Sequence, residues 1–555
     1  MNLPRKKIVL LTFVCLVCAT MAGADIFAPV FAPPLPNPNH QEGSLLELED
    51  IVLIGIGDSL TQGTIDIMVN PTNTEHSYMQ LIADSIGSIR DISFSQPLLD
   101  EDRERINPFT IPTNLGIEAA DIFSTDGIAY YKRAGARKSY VKADYVCNNL
   151  MPWRQKTLFE KVLYPINLAA KRPVSQLDAA CWLLEQVAQS GGQSKAAVVL
   201  WLGNMDTSAA STGLGGFAPL GLPIPVHHIS GEINPILSFM MQSAEDIGYL
   251  TTRPYTHSLI EKNLTLPEEF REQFENILSE FDRFTDSSGC VADVFVCTLP
   301  YFNSMGYLFD SEDLEFYLQK ANPLYAVPNR FKRVADQDGE IENPFEGDRS
   351  PFFNFLCMYI LLLQGYDIEF VNQIVQEDGY VLSEDEMHFI MDRIDSYNSI
   401  IREAVRKRDG CFHLVDIGTY LNDVLGGKTK IAAGQFELSR KWGRGNSFSF
   451  DGAHPGYTGN ALIANYILAE MRAALSLDAP LYNLTTIAAT DPYVDRDGDG
   501  WVPGPDYPPQ GLTEVLFYFK DPDDSDPILQ PHIQPDIWYS ITRALLYRII
   551  TGELY

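Results

Sequence analysis

Ile51-Val-Leu-Ile-Gly-Ile-Gly57 runs directly into Asp58-Ser59-Leu60-Thr61-Gln62-Gly63. The first seven residues form an apolar, largely β-branched run closed by glycine, the pattern of a strand buried on both faces of a sheet. Similar runs recur at Ala196–Leu202, Ala292–Leu299 and Cys411–Ile417. Helix-like stretches lie between them, at Ser77 to Ile86, Val174 to Gln189 and Leu266 to Phe284. Buried strands alternating with amphipathic helices predict an α/β fold with a parallel sheet covered on both sides. A serine on the turn after such a strand sits at the carboxyl edge of the sheet, where open α/β folds build their sites. A helix starting there points free N–H groups at the hydroxyl. The competing reading of Ser59 is a helix cap.

Working outward, the chain has 555 residues, 41 Lys+Arg against 73 Asp+Glu, and 45% apolar residues. That length allows three or four ordinary domains or one elaborated α/β domain. The composition excludes collagen, coiled coil and wholesale disorder. A net charge of −32 argues against a nucleic-acid partner, because phosphate binding needs a positive surface.

Residues 1–24 read as a signal peptide: Arg5, Lys6 and Lys7, an apolar core from Ile8 to Val17, then Ala22-Gly23-Ala24. The apolar run is short for a membrane span, so the expectation is an exported chain, secreted or periplasmic, with no transmembrane span after cleavage. Residues 25–48 are a Pro-rich spacer, 49–475 the α/β body, and 476–555 a C-terminal extension. Six cysteines remain after cleavage: Cys147, Cys181, Cys290, Cys297, Cys357 and Cys411. They allow fifteen pairings and none has C-x-x-C spacing. The strands are separated by more chain than a crossover needs, so 64–110, 120–173, 205–250 and 303–400 read as insertions or a cap. Phe352–Leu363 is the most apolar stretch of the mature chain, a buried core helix or a lid. Lys132–Lys142 is a basic cluster, a solvated face or an anion site. Asp536 to Ile550 carries Ile537, Ile541, Leu545 and Ile549 on one helical face.

Phe450-Asp451-Gly452-Ala453-His454-Pro455 is the second chemical signal. An Asp and a His three residues apart on one turn can reach the same centre. His454 would take the Ser59 proton while Asp451 orients the ring and stabilises its charge. With these residues the chain resembles the SGNH (GDSL) serine hydrolases, flavodoxin-like α/β/α esterases and lipases. Gly57-Asp58-Ser59-Leu60 matches their nucleophile block and Asp451-Gly-Ala-His454-Pro455 their final block. Asn114–Ala120 and Trp201–Asp206 resemble the second and third, and Val291–Pro300 resembles the following strand. The resemblance implies that the N–H groups of Ser59 and Ala119 and the Asn204 amide hold the oxyanion. Two positions depart from the pattern. Ala119 stands where the family has Gly, tolerable for a backbone donor if φ stays negative. Met205 stands in the family's Asn slot and cannot donate, which leaves Asn204, one place earlier, or a hole short of one donor. The implied substrate is a carboxylic ester, a lipid or an acylated carbohydrate among the options, and no organic cofactor is required. An acyltransferase on the same scaffold and a non-catalytic, calcium-stabilised binding protein on a decayed hydrolase fold are the alternatives.

Asp495-Arg-Asp497-Gly-Asp499-Gly500-Trp501 through Asp506 places carboxylates at loop positions 1, 3, 5 and 12, with the Trp501 carbonyl at 7. That is the spacing of oxygen ligands for a structural Ca²⁺, and the loop resembles those of dockerins and thrombospondin type 3 repeats. Asp336–Glu340 does not continue such a pattern and reads as a surface turn. His227, His228, His257 and His388 lack ligand-spaced partners. Asn263-Leu-Thr and Asn483-Leu-Thr fit glycosylation sequons.

Overall fold

In a computed structural model of the chain, five parallel strands form the central sheet: β1 (Ile51–Gly57), β2 (Ile92–Ser93), β3 (Lys195–Trp201), β4 (Ala292–Cys297) and β5 (Phe412–Val415). The structure describes residues 48–100, 103–128, 130, 152–171, 174–213, 253–285, 290–332, 346–408, 410–509 and 512–533, together with 537, 540, 541 and 543. The strand order is β2-β1-β3-β4-β5, the 2-1-3-4-5 order of flavodoxin-like α/β/α folds. β1 is buried from Val52 onward, β3 from Ala196 onward and β4 throughout, which is why each reads as a near-continuous apolar run rather than an alternation. The exception, Asp293 in β4, is paired with Lys195 and His413. β2 has only two residues and carries no periodicity to read.

The covering helices begin where their caps dictate. Ser175 and Ser383 close capping boxes with Asp178 and Glu386, starting the helices Gln176–Gln189 and Glu384–Arg406. Pro267 and the first-turn acids Glu268 and Glu269 open Pro267–Asp282, which buries Phe270, Phe274, Ile277, Leu278 and Phe281. The remaining predicted helix is Tyr78–Gly87, capped by Ser77. Phe352–Leu363 is a core helix: every residue but Leu363 is buried, so most of its surface faces protein.

Registration of the strands positions the site. Gly57 pairs with Trp201 at the ends of β1 and β3, and Cys297 with Val415 at those of β4 and β5. The segments that leave these ends therefore emerge at one edge. Thr113–Ile117 extends the arrangement, with Leu115 and Ile117 donating to the Gly55 and Gly57 carbonyls. Gly57 allows the close approach: a Cβ there would lie 2.1 Å from Thr61 Oγ1 and 2.8 Å from the Trp201 carbonyl.

The described part of 476–533 packs in the same unit as the body, which spans Leu46–Tyr555. Cys290 and Cys411 form a disulfide, and Cys181, Cys297 and Cys357 are free and buried. Residues 1–24, most of the spacer, the basic cluster 132–142, Cys147, His227, His228, the 336–340 turn and most of 536–550 lie outside the described residues. Of that last stretch, Ile537 and Ile541 are buried. Among the described residues no helix is long and apolar enough to cross a membrane.

Candidate active site

Ser59 is the first residue of a four-residue helix, Ser59–Gln62, that starts where β1 ends. Asp58 caps it by accepting from the Leu60 N–H at 3.0 Å. As the first helical residue, Ser59 has an N–H with no partner inside the helix. The hydroxyl lies 2.9 Å from His454 Nε2, and His454 Nδ1 lies 2.6 Å from Asp451 Oδ2. The three side chains, 392 and 395 residues apart in sequence from the serine to its two partners, thus form one hydrogen-bonded relay.

The turn that carries Asp451 and His454 is held by Asp451 itself. Oδ1 accepts from the Ala453 and His454 N–H groups, both at 2.8 Å, and from Ser449 Oγ at 3.2 Å. Oδ2 accepts from His454 and from the Ile67 N–H at 2.8 Å. Gly452 has φ +66, and a Cβ there would meet the Tyr307 nitrogen at 2.6 Å, so only glycine fits at the position after Asp451. Burial works against the Asp451 charge, but His454 and the backbone donors outweigh it and hold the carboxyl below its ordinary range. Burial likewise opposes a charged His454, and the Asp451 carboxylate overcomes it, raising the imidazole above its ordinary 6.5.

Asn204 is 4% exposed and neither amide atom has a hydrogen-bond partner among the described residues. It lines the same cavity as Ser59, Ala119 and His454. Its amide is near enough to favour the charge of Asp58, although burial dominates there and pushes that carboxyl up to about 6. A buried, unspent amide donor beside a serine hydroxyl that is hydrogen-bonded to an imidazole is the kind of side chain an oxyanion hole requires. Met205 also lines the cavity, where its sulfur accepts from Ser208 Oγ at 3.1 Å. Asn204→Ala is therefore expected to lower kcat by about 10²–10³-fold, with Met205→Ala within about threefold of wild type; steady-state kinetics on one ester substrate checks both.

Ala119 departs from the sequence expectation. Its φ is +60, in the left-handed region, not negative. The cause is its tether: the preceding Glu118 N–H is held by Gln62 Oε1 at 2.6 Å, and Ala120 donates back to the Ile117 carbonyl at 3.0 Å. Ala119 still lines the cavity, and the αL geometry costs an alanine about 1 kcal/mol.

Two residues of the site carried no sequence signal. Asp66 and Ile67 have φ +55 and +62 at the centre of a tight turn in which Ile65 and Met68 exchange backbone hydrogen bonds. Positive φ at both central positions is the type I′ pattern, normally Asn-Gly, and a β-branched residue there is strained. The turn is over-determined by its surroundings. Ile67 donates to Asp451 as above; Asp66 Oδ1 accepts from the Phe450 N–H at 2.7 Å; Asp66 Oδ2 accepts from the Tyr493 and Tyr507 hydroxyls.

Burial, and then the charge of Asp451, pushes the Asp66 carboxyl up to about 7. A carboxyl raised in the fold contributes stability that is complete below its ordinary 3.8 and lost as pH rises through about 7. Asp66→Asn removes this titration. Urea melts across that interval should show wild type losing up to about 4 kcal/mol more than the variant.

The cavity beside Ser59 has a volume of about 200 Å³. Its walls beyond the relay are mostly apolar, with Leu60, Ile67, Met305, Phe352, Phe353 and Leu421 among them, while Glu118, Ser208 and Thr212 also line it.

Of the residues read as metal ligands, Asp495, Asp497 and Asp499 share one loop, with Trp501 buried behind them. Asp506 is exposed and belongs to neither acidic group at this loop. Those groups are Asp495, Asp497 and Asp524, and Asp497, Asp499 and Asp521. The physical reason is Pro503-Gly504-Pro505, which cannot continue into the helix that carries position 12 of an EF-hand. Val502 instead pairs with Lys520 and accepts from the Asp521 N–H at 2.8 Å. Among the sequons, Asn263 is 2% exposed and cannot carry a glycan in the folded chain; Asn483 is exposed and caps Leu484–Ala488. His257 packs on Phe389, and His388 lies 3.7 Å from Glu384.

No protein-family model matches the chain, and no curated protein matches it.

Proposed function

We propose that the chain is a serine ester hydrolase of the SGNH type working through an acyl-enzyme. The observation that carries this reading is the continuous Ser59–His454–Asp451 relay, opening on an apolar cavity that also holds the unpartnered Asn204 amide. Ser59 Oγ gives its proton to His454 Nε2 and attacks the ester carbonyl carbon. The carbonyl oxygen becomes an oxyanion, held by the N–H groups of Ser59 and Ala119 and by Asn204 Nδ2. Collapse breaks the bond to the alcohol oxygen, which takes the proton from His454. Water then attacks the acyl-enzyme, giving its proton to the same imidazole, and Ser59 leaves with that proton as the acid is released.

The apolar lining favours an acyl chain over an acetyl group or a polar sugar acid. Cavities of about 150 Å³ accept a benzene-sized guest, so this one suits a short to medium chain. Each methylene that still fits adds about 0.8 kcal/mol, or about fourfold in kcat/KM. A p-nitrophenyl ester series from acetyl to palmitoyl should therefore climb through the short chains and then fall. Stoichiometric labelling by a fluorophosphonate probe, mapped to Ser59, tests the nucleophile directly; an unlabelled folded protein refutes the reading. Because the base is the neutral imidazole, activity should rise with pH to a plateau with its midpoint above 6.5. A midpoint below that value in a kcat/KM profile contradicts the Asp451–His454 coupling. The Cys290–Cys411 disulfide supports an oxidising, extracytoplasmic location.

A further inference from the structure

We infer that the chain binds a single Ca²⁺ between Asp497, Asp499 and Asp521, with Asp521 closing the site in place of Asp506. A carboxylate oxygen from each of the three lies within 4.8 Å of the other two. Asp521 is only 7% exposed, yet its Oδ2 has no hydrogen-bond partner among the described residues, and Asp497 Oδ2 is in the same state. Buried carboxylate oxygens without a donor are rare because their desolvation is uncompensated. Two of them converging with a third carboxylate call for a cation.

The protein's own cations do not meet the need. Arg496 is spent on Asp524, donating through both its backbone N–H and its guanidinium. Lys320 is the basic group that feels Asp495, Asp497 and Asp499. Its ammonium stands over the Phe316 and Trp501 rings, at 4.8 and 6.0 Å, and makes no ion pair within 4.0 Å among the described residues. Asp495 shapes the loop, its two oxygens accepting from the Gly498 and Gly500 N–H groups at 2.7 and 2.8 Å. It groups instead with Asp497 and Asp524, and Asp524 is already neutralised by Arg496.

An all-oxygen donor set selects a hard cation. Ca²⁺ takes six to eight oxygens with loose geometry, which three carboxylates, the Trp501 carbonyl and water can supply; Mg²⁺ demands a tighter octahedron. The ion would join the 495–501 loop to the segment beginning at Asp521, adding to the Asp521–Val502 hydrogen bond. Tyr493 and Tyr507, which hold Asp66, flank that loop in sequence. The inference is independent of the hydrolase reading, and fluorophosphonate labelling of Ser59 reports on that reading separately.

Terbium titration of the full-length protein tests the site, because Trp501 adjoins the ligands and sensitises Tb³⁺ emission. One Tb³⁺ per chain should bind, be displaced by Ca²⁺ and resist a tenfold excess of Mg²⁺, and Ca²⁺ should raise Tm. Asp521→Asn should weaken Ca²⁺ competition at least tenfold, while Asp506→Asn stays within twofold of wild type. Asp497→Asn, at a less buried position, gives the same loss if Asp521→Asn does not fold. Absence of sensitised emission from the wild type, displacement by Mg²⁺, or a loss confined to Asp506→Asn overturns the inference.

Discussion

Ser59→Ala is expected to lower kcat on a p-nitrophenyl ester by about 10⁴–10⁶-fold and to abolish fluorophosphonate labelling. In the proposed mechanism the side-chain oxygen becomes bonded to the acyl group, so no neighbour can substitute for it. The variant should fold normally. The lost oxygen leaves behind one former partner, His454 Nε2, and that ring is only part-buried, with 16% of its side chain exposed. Water can take the vacated place, so the change in stability should be within about 0.5 kcal/mol. Far-UV circular dichroism and Tm check the fold, and single-turnover kinetics check the chemistry. A folded variant that still turned over at even a tenth of the wild-type rate would place the nucleophile elsewhere.

Asp451→Asn should cost about 10⁴-fold in kcat, by a different route. Asp451 Oδ1 already faces the Ala453 and His454 N–H groups, so an asparagine keeps its carbonyl oxygen there. That choice turns the amide NH₂ toward His454 Nδ1 and the Ile67 N–H. Two donors then face each other at Ile67, and the imidazole must accept at Nδ1, which moves its proton to Nε2. An imidazole protonated at Nε2 cannot receive the Ser59 proton. The buried donor clash at Ile67 adds a stability loss of about 1–3 kcal/mol. Measuring kcat together with the urea midpoint separates the effects, since Ser59→Ala moves only the first. Unchanged kcat in a folded Asp451→Asn protein would remove Asp451 from the relay.

What was legible followed from strong local patterns. β1, β3 and β4 are buried on both faces and so read as near-continuous apolar runs, while β5 stands at the sheet edge with His413 and Leu414 half-buried. The stretches read from Ser77 and Val174 begin within two residues of the helices Tyr78–Gly87 and Gln176–Gln189. β2 was not legible because two residues cannot display a period. Ser59, Asp451 and His454 were legible because each stands in a short polar motif at a strand or turn boundary. Asn204 was named from its place beside Met205, and the fold adds that its buried amide has no partner among the described residues. Asp66 carried no signal, because what sets it apart is accepting from Tyr493 and Tyr507 more than 400 residues away.

The 555-residue order by itself determined a parallel α/β sheet, the identity of a serine, a histidine and an aspartate poised at its edge, and an acidic loop near position 500. Only tertiary structure decided that the relay closes at 2.9 and 2.6 Å, that Ala119 and Ile67 are held at positive φ, and that Asp521 lies within 4.8 Å of the Asp497 and Asp499 carboxylates. The division has a physical cause. Burial period and capping are written in neighbouring residues, whereas a backbone forced into a costly conformation, or a carboxylate brought in by a distant strand bridge, depends on contacts that exist only once the chain has folded.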